Sequence, residues 1–518
     1  MKTNMLPLLV SLAFADISEC FSTIHAQLTP GAPPGAVPIG KDFTSFSIEY
    51  SHFPWFAGNR SQPNQFSINL LLNLGRMTGL MPVIRVGGNT QDDIHYNASL
   101  TVPEYIPGAV IDDHRPPIYV GPSFFSSFGT FPNTLYIPGI NLAMNGSAGT
   151  ATRKIETELT CKALGSSLFM FEVGNEPDHY MNYFRRPSNW TVDEYVEEWL
   201  TGSQLVADVM ASACPHLVKQ SSGFFAPSFG GTDLGKPFSA QTAFEGGQDS
   251  RHDIRQISVH NYMGSATNPG ISLQGTLMNH SSIMRSLAAH VTLAAELRNF
   301  TTVPYVLGET NSLSGGGATG LSNVFGSALW VVDYSLYAAS QGILRAHFHQ
   351  SVTSPYAAWT PNGTLTTNPP YYGNIMVNAA IGSAPGTVIA PLELQTINDD
   401  RVSAYVLYDH GGKTLPRVVI LNMREWISTA VGTRPALNVT LAVPAGANGA
   451  RVERLAAAGA NVTTGITYAG TSYDYDLAQG QPTVVDEAAS RETVLVDSSA
   501  KTISVDIPDS QGVVLHLF

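Results

Sequence analysis

Two glutamates stand at the ends of two apolar runs, Glu176 in FEVGNEPD (171–178) and Glu309 in YVLGETNS (305–312). Both runs are rich in β-formers and pass through a glycine just before the carboxylate. In an α/β barrel such strand ends open onto the face that carries the active site. Two carboxylates delivered there from different strands are what glycoside hydrolysis needs, one as proton donor and the other as nucleophile or base. The residues supply this pair and leave its order open. Asn175 precedes Glu176 and Pro177 follows it, and proline, with no N–H for a ladder, ends the strand at the rim. The plainer alternative, two strand-end carboxylates held in salt bridges, does not account for both motifs together.

Elements able to position this pair recur along the chain. Apolar strand candidates lie at 46–50, 82–88, 135–142, 168–177, 218–227, 255–262, 304–309 and 343–350. Helix-patterned segments fall between them, among them QFSINLLLNLGRMTG, RKIETELTCKALG, VDEYVEEWLTGSQLVADVMASA, HSSIMRSLAAHVTLAAELRNF and GSALWVVDYSLYAASQG. Eight strands alternating with helices predict a (β/α)8 barrel over 43–388, with Glu176 on the fourth strand and Glu309 on the seventh. Strand alternation places Glu172, Gly174 and Glu176 on one face, so Glu172 points into the barrel, where Arg85 is a fitting partner. A nearby cation such as Arg85 also favours the ionised form of a nucleophilic carboxylate. From about residue 389 the texture changes to short alternating segments such as RVSAYVLYD, RVVILNM and TISVDIP, which predict a β-sandwich over 389–518. The loop 95–134, rich in Pro, Tyr and Phe, is expected to overhang the cleft.

Composition narrows the partners and the compartment. The chain has 518 residues, 43% hydrophobic and 13% charged, with a net charge of −13. This balance argues against nucleic acid and sulfated glycans, whose grooves need a basic footprint. Lys2 followed by the apolar run 5–15 reads as a secretory signal within residues 1–26, cleaved after Ala15 or Ala26. A Pro/Gly-rich lead-in then covers 27–42. No later segment predicts a membrane anchor. Nine Asn-X-Ser/Thr sequons, at Asn59, Asn97, Asn145, Asn189, Asn279, Asn299, Asn362, Asn438 and Asn461, fit an exported glycoprotein. In an oxidising compartment Cys161 and Cys214 form a disulfide or remain two buried thiols, and the sequence does not separate these readings. No metal or other cofactor is expected. His347 and His349 form a His-X-His pair, read as lining or packed histidines because no third ligand has convincing spacing.

The two glutamate motifs, RVGGN at 85–89 and SGGG at 314–317 together resemble glycoside hydrolase family 79, the clan A β-glucuronidases that include heparanase. The likeness extends over most of the mature chain. It implies a retaining mechanism with Glu176 as acid/base and Glu309 as nucleophile, so the two carboxyl groups should lie ~5–5.5 Å apart. It also implies that Asn175 holds the sugar 2-hydroxyl, that Glu49 binds sugar hydroxyls, and that Tyr262 lies beside the nucleophile and the uronate. Gly315 and Gly316, with Tyr356 as a second tyrosine, would grip the glucuronate carboxylate; backbone N–H groups can bind an anion without a cation. Ser314 is a departure, standing where relatives carry a tyrosine, and it predicts room for a substituent such as a 4-O-methyl group. The expected protein is a secreted exo-β-glucuronidase acting on glucuronic-acid-bearing oligo- or polysaccharides. The rivals are another retaining clan A β-glycosidase, of β-glucosidase or β-xylosidase type, and an inactive secreted glycan-binding protein.

Overall fold

The barrel strands are short and buried on both faces because helices cover the outside and side chains fill the inside. In the computed structural model, which describes residues 23–29, 31–107, 116–221, 223–395, 398–409 and 415–518, eight parallel strands close on themselves. They are β1 (Thr44–Glu49), β2 (Ile84–Gly87), β3 (Tyr136–Ile140), β4 (Phe171–Val173), β5 (Phe224–Phe229), β6 (Ile254–Tyr262), β7 (Tyr305–Asn311) and β8 (Ala346–Gln350). Seven helices alternate with them: α1 (Gln65–Thr78), α2 (Gly146–Leu164), α3 (Val192–Ala213), α4 (Ala240–Glu245), α5 (His280–Leu297), α6 (Phe325–Ser340) and α7 (Pro369–Ile381). Between β2 and β3 an excursion with a three-stranded sheet (Ile94–Tyr96, Glu104–Tyr105, Ile118–Val120) takes the place of a long helix.

Layering inside the barrel follows strand periodicity. Val83, Ile137, Met170, Phe225 and Val306 form an apolar plug near the strand starts. Two residues further along the same faces come Arg85 and Glu172, both fully buried and paired with each other. Strict alternation would turn Glu309 away from the interior, because Val306 and Gly308 face inward. The β7–β8 register shifts between Leu307 and Thr310, and β6–β7 shifts between Val259 and Asn261. Such irregularities re-aim side chains next to active sites.

Several segments depart from the sequence reading. Val218–Ser221 is helical, so the fifth strand begins at Phe224 rather than at 218. Strand Gly449–Ala456 carries three charged residues and was not visible as an apolar alternation. Thr23–Gln27 forms a strand parallel to Ala436–Ala442, placing Ile24 and Ala26 in the core of the β-domain. Cleavage after Ala26 would remove most of that strand, whereas cleavage after Ala15 would spare it. Residues 1–22, with the apolar leader run and Cys20, lie outside the described residues. Among the described residues no helix is long and apolar enough to cross a membrane.

The β-domain packs a three-stranded sheet against a larger antiparallel one. It docks on the barrel where Tyr405 Oη donates to Asp333 Oδ1 on α6 at 2.5 Å; within the barrel, His280 Nδ1 of α5 lies 2.9 Å from Asp333 Oδ2. Cys161 at the end of α2 is disulfide-bonded to Cys214, just past α3, so the open alternative resolves to a bridge between neighbouring barrel helices. None of the nine sequon asparagines is buried.

Candidate active site

The strand ends converge on a cavity of about 690 Å³ lined by both glutamates. Glu309, on β7, is 5% exposed and held from three directions. Tyr262 Oη donates to Oε1 at 2.7 Å, Arg85 Nη1 donates to Oε2 at 2.7 Å, and His349 Nδ1 lies 3.3 Å from Oε2. Burial pushes this carboxyl up, but His349, His260, Arg85 and the Tyr262 hydrogen bond outweigh it and hold the group well below the usual carboxylate range. Burial and the Glu309 charge keep the Tyr262 phenol protonated, so it remains a donor.

Arg85 is the hub beneath the site. Its Nε donates to both oxygens of Glu172 at 3.0 and 2.9 Å, Nη1 also donates to Ser47 Oγ at 2.7 Å, and Nη2 donates to Asn175 Oδ1 at 2.7 Å. The guanidinium fork thus fixes β1, β2, β4 and β7 relative to one another, a task a lysine could not do. Glu172 takes the structural place expected for it.

Glu176 reaches the cavity differently. β4 ends at Val173, and Glu176 adopts a left-handed backbone, φ 46°, before Pro177 opens a short helical turn. A non-glycine residue in this region carries strain, which collects at functional sites. Glu176 N–H donates to Ser228 O at 2.9 Å, and Oε1 lies 2.9 Å from His260 Nδ1. Two residues on, Asp178 accepts from Gly230 N–H at 3.0 Å; burial and the Glu176 charge raise its carboxyl to about 6. One oxygen of Glu176, one of Glu309 and a ring nitrogen of His260 lie within 4.8 Å of one another. That places the carboxylates in the close-spaced range, short of the separation at which an inverting enzyme seats its attacking water.

Glu49, at the end of β1, accepts from Thr90 N–H at 2.9 Å and lies 3.3 Å from His349 Nε2. Burial raises its carboxyl, and His349 and Thr90 lower it to about 2. Gly88 explains part of RVGGN: its φ is 96°, and a Cβ there would meet the Glu49 carboxylate at 2.9 Å. His349 has Nδ1 3.0 Å from Ser47 Oγ and bridges Glu49 and Glu309; burial lowers its pKa, but the two carboxylates leave it raised. His347, two residues below, packs on Phe225 with ring centroids 5.5 Å apart. The His-X-His pair therefore divides into one lining and one packed histidine.

Ser314, Gly315, Gly316 and Tyr356 all line the cavity, with Tyr262 and Tyr356 ring centroids 6.3 Å apart. Gly315 and Gly316 have φ of 75° and 87°, a backbone glycine adopts without strain. Ser314 Oγ donates to Gly264 O at 3.3 Å. Asn175 does not line the cavity: Arg85 holds its Oδ1, and its Nδ2 points at Asn89 Oδ1 at 3.4 Å. Asn89 lines it instead, and its place within RVGGN was the available signal. Sequence reasoning also missed His179, Tyr183, Gly230 and Ser351, which come from loops whose course no periodicity fixes.

A closed barrel with two near carboxylates at its C-terminal face, joined to a β-sandwich, defines a glycoside hydrolase. The glycosyl hydrolase family 79 C-terminal beta domain matches residues 404–514. A β-glucuronidase of Aspergillus niger is 40% identical over 507 residues, covering 93% of this chain and 92% of that one. A β-glucuronidase of Neurospora crassa is 38% identical, covering 91% of each. The chain belongs to glycoside hydrolase family 79. The crystal structure of a 4-O-α-L-rhamnosyl-β-D-glucuronidase from Fusarium oxysporum superposes with a TM-score of 0.77 at 25% identity, over 95% of this chain and 100% of that one. A family 51 arabinofuranosidase from Xanthomonas axonopodis shares the fold, with a TM-score of 0.60 at 14% identity over 96% and 100%.

Proposed function

We propose that this enzyme is a secreted, retaining exo-β-glucuronidase that removes terminal glucuronic acid, with or without a substituent on the 4-oxygen, from a glycan. The observation that supports the retaining mechanism is the close approach of the two carboxylates, an oxygen of each lying within 4.8 Å of the other. Glu309 is ionised and aimed into the cavity, as a nucleophile must be. Glu176 protonates the glycosidic oxygen as the Glu309–sugar bond forms, then takes a proton from the water that hydrolyses the glycosyl-enzyme. Glu49 and Asn89 face the sugar hydroxyls. The Gly315–Gly316 backbone and Tyr356 offer neutral donors to the uronate beside Tyr262, while Lys and Arg are absent from the cavity lining among the described residues.

The two β-glucuronidase relatives support the choice of sugar, and the name of the Fusarium enzyme supports a substituted 4-oxygen. The sequons and leader run support export. A panel of aryl β-glycosides differing only in the sugar tests this reading, with NMR of the first-formed anomer. Glucuronide hydrolysis with the β-anomer released first is expected. Comparable rates on glucosides would remove the uronate assignment, and α-product would remove the mechanism.

A further inference from the structure

In the cavity wall around Glu309 the carboxyl stands on a strand, β7. Glu176 instead lies past the end of β4, in a turn where its own φ is 46°. A strained residue keeps its place only where its surroundings over-determine it. Whatever holds this turn therefore helps to aim the carboxyl. Behind it lies Asp92, in the helical turn Asn89–Asp93 that follows β2. Asp92 is 4% exposed and does not line the cavity.

Both oxygens of Asp92 are engaged around Glu176. Oδ2 accepts from Asn175 N–H at 3.0 Å and from Tyr180 Oη at 2.6 Å, so one atom ties the residue before Glu176 to the loop after it. Oδ1 accepts from Leu142 N–H at 2.9 Å and Ala143 N–H at 3.3 Å, which anchors the carboxylate to the chain just past β3. Arg185 Nη1, 3.5 Å from Oδ2, balances the charge. Gly174 permits this closure: a Cβ there would come within 3.0 Å of the Tyr180 hydroxyl and 2.9 Å of the Leu142 side chain. From the β5 side, Glu176 N–H donates to Ser228 O at 2.9 Å. The two peptide planes leading into Glu176 are thus clamped by different partners, and the loop beyond is tied back to the first of them.

We infer that Asp92 is a positioning residue for the acid/base, holding the turn 174–180 so that the Glu176 carboxyl meets the glycosidic oxygen. The inference rests on the acid/base role proposed for Glu176. A carboxylate is needed here because it accepts on both sides. Asparagine keeps one accepting oxygen, and its amide nitrogen would face backbone N–H groups whichever way it points. The β3 end and the turn cannot then both be held, and the turn is free to relax out of the left-handed region. A shift of about 1 Å in a proton donor weakens protonation of the leaving group, while the wall around Glu309 stays in place.

The test sets methyl β-glucuronide, whose alkoxide must be protonated as it leaves, against 2,4-dinitrophenyl β-glucuronide, whose phenolate leaves unaided. In Asp92→Asn, kcat/KM should fall about a hundredfold on the methyl glycoside and no more than about threefold on the dinitrophenyl one. Tyr180→Phe keeps the ring stacked on Trp190 and removes only the hydroxyl. It should show the same dependence on the leaving group, with a loss of about tenfold on the methyl glycoside. This second variant decides the matter if thermal unfolding shows that Asp92→Asn does not fold. Glu176→Ala is measured on the same two substrates. Losses equal on both substrates, or no loss, in the Asp92 and Tyr180 variants would overturn the inference if Glu176→Ala still depends on the leaving group. A Glu176→Ala loss that is itself equal on both would overturn the acid/base reading, and the inference with it.

Discussion

Glu309 and Glu176 lie within 4.8 Å of each other at the mouth of one barrel, yet they occupy opposite environments. Both oxygens of Glu309 are occupied, by a phenol, a guanidinium and an imidazole, and its side chain is 7% exposed. Glu176 has one oxygen near His260, and its side chain is 13% exposed. The first environment favours a permanent anion. The second holds its carboxyl through a single imidazole neighbour. This contrast supports the proposed roles, Glu309 as nucleophile and Glu176 as acid/base.

The largest effect expected from breaking this contrast follows Glu309→Gln, which removes the nucleophile. Activity on every glycoside should fall roughly ten-thousand-fold. Glu176→Ala should depend on the leaving group, with aryl glycosides bearing acidic phenols suffering least because they need little protonation. Added azide should restore turnover in Glu176→Ala by attacking the exposed glycosyl-enzyme, giving the β-azide. Azide rescue of Glu309→Ala instead, or equal losses on good and poor leaving groups, would reverse the roles.

The second prediction concerns the hub. Arg85→Lys keeps the charge and loses the fork, so Glu172, Asn175 and Glu309 cannot all be served. A loss of about a hundredfold in kcat is expected, with a melting temperature lower by several degrees from an underpaired buried carboxylate. A fall in melting temperature with kcat unchanged would confine Arg85 to holding the barrel.

Why these partners were legible differs from residue to residue. Glu172 and Arg85 followed from strand period two, since both lie on regular stretches of strand. Glu309 itself was found by its motif, but its inward aim depends on the register shift beside Gly308, where a Cβ would come within 1.9 Å of Ser258 Oγ. A periodic pattern cannot announce its own interruption. The surroundings of Asn175 were not legible for a related reason: the chain leaves β4 after Val173 and turns through a left-handed Glu176, so alternation no longer says where its neighbour points. The barrel was legible because apolar runs repeat. The N-terminal strand Thr23–Gln27 was not, because its partner lies more than 400 residues away and a lone five-residue run beside a leader carries no pattern of its own.

His349 sharpens the comparison through pH. Its folded value is raised, so its ion pairing stabilises fully below the imidazole's unfolded value and is lost as pH rises through the folded one. Glu49 and Glu309 are depressed, so their contributions hold above the ordinary carboxyl range and fade as pH falls through the folded values, about 2 for Glu49. The ion-paired layer is therefore most favourable from mildly acidic to neutral pH. His349→Asn should lower the melting temperature most near pH ~5, and the gap from the unmodified enzyme should narrow above pH ~8. A gap independent of pH would show that the ring is neutral in the fold. A roughly tenfold loss of kcat is expected at the acidic end, where the nucleophile loses its second cation.

The smallest effect lies at the far edge of the Glu309 wall, where Ser314 lines the cavity and its backbone N–H donates to Gly264 O at 2.9 Å. That bond fixes the turn whatever the side chain, so Ser314→Tyr should leave Gly315 and Gly316 in place and add only volume and a phenol. Volume counts where a sugar substituent would lie, and overpacking a subsite penalises the bulkier ligand most. The variant should therefore lose about tenfold more kcat/KM on a 4-O-methyl glucuronide than on the unmethylated sugar, with the phenol offsetting part of the loss on the latter by donating to the uronate. Parallel kinetics on the two glucuronides read this ratio directly. An unchanged ratio would place the 4-oxygen elsewhere in the cavity, and another residue would then set the sugar's orientation.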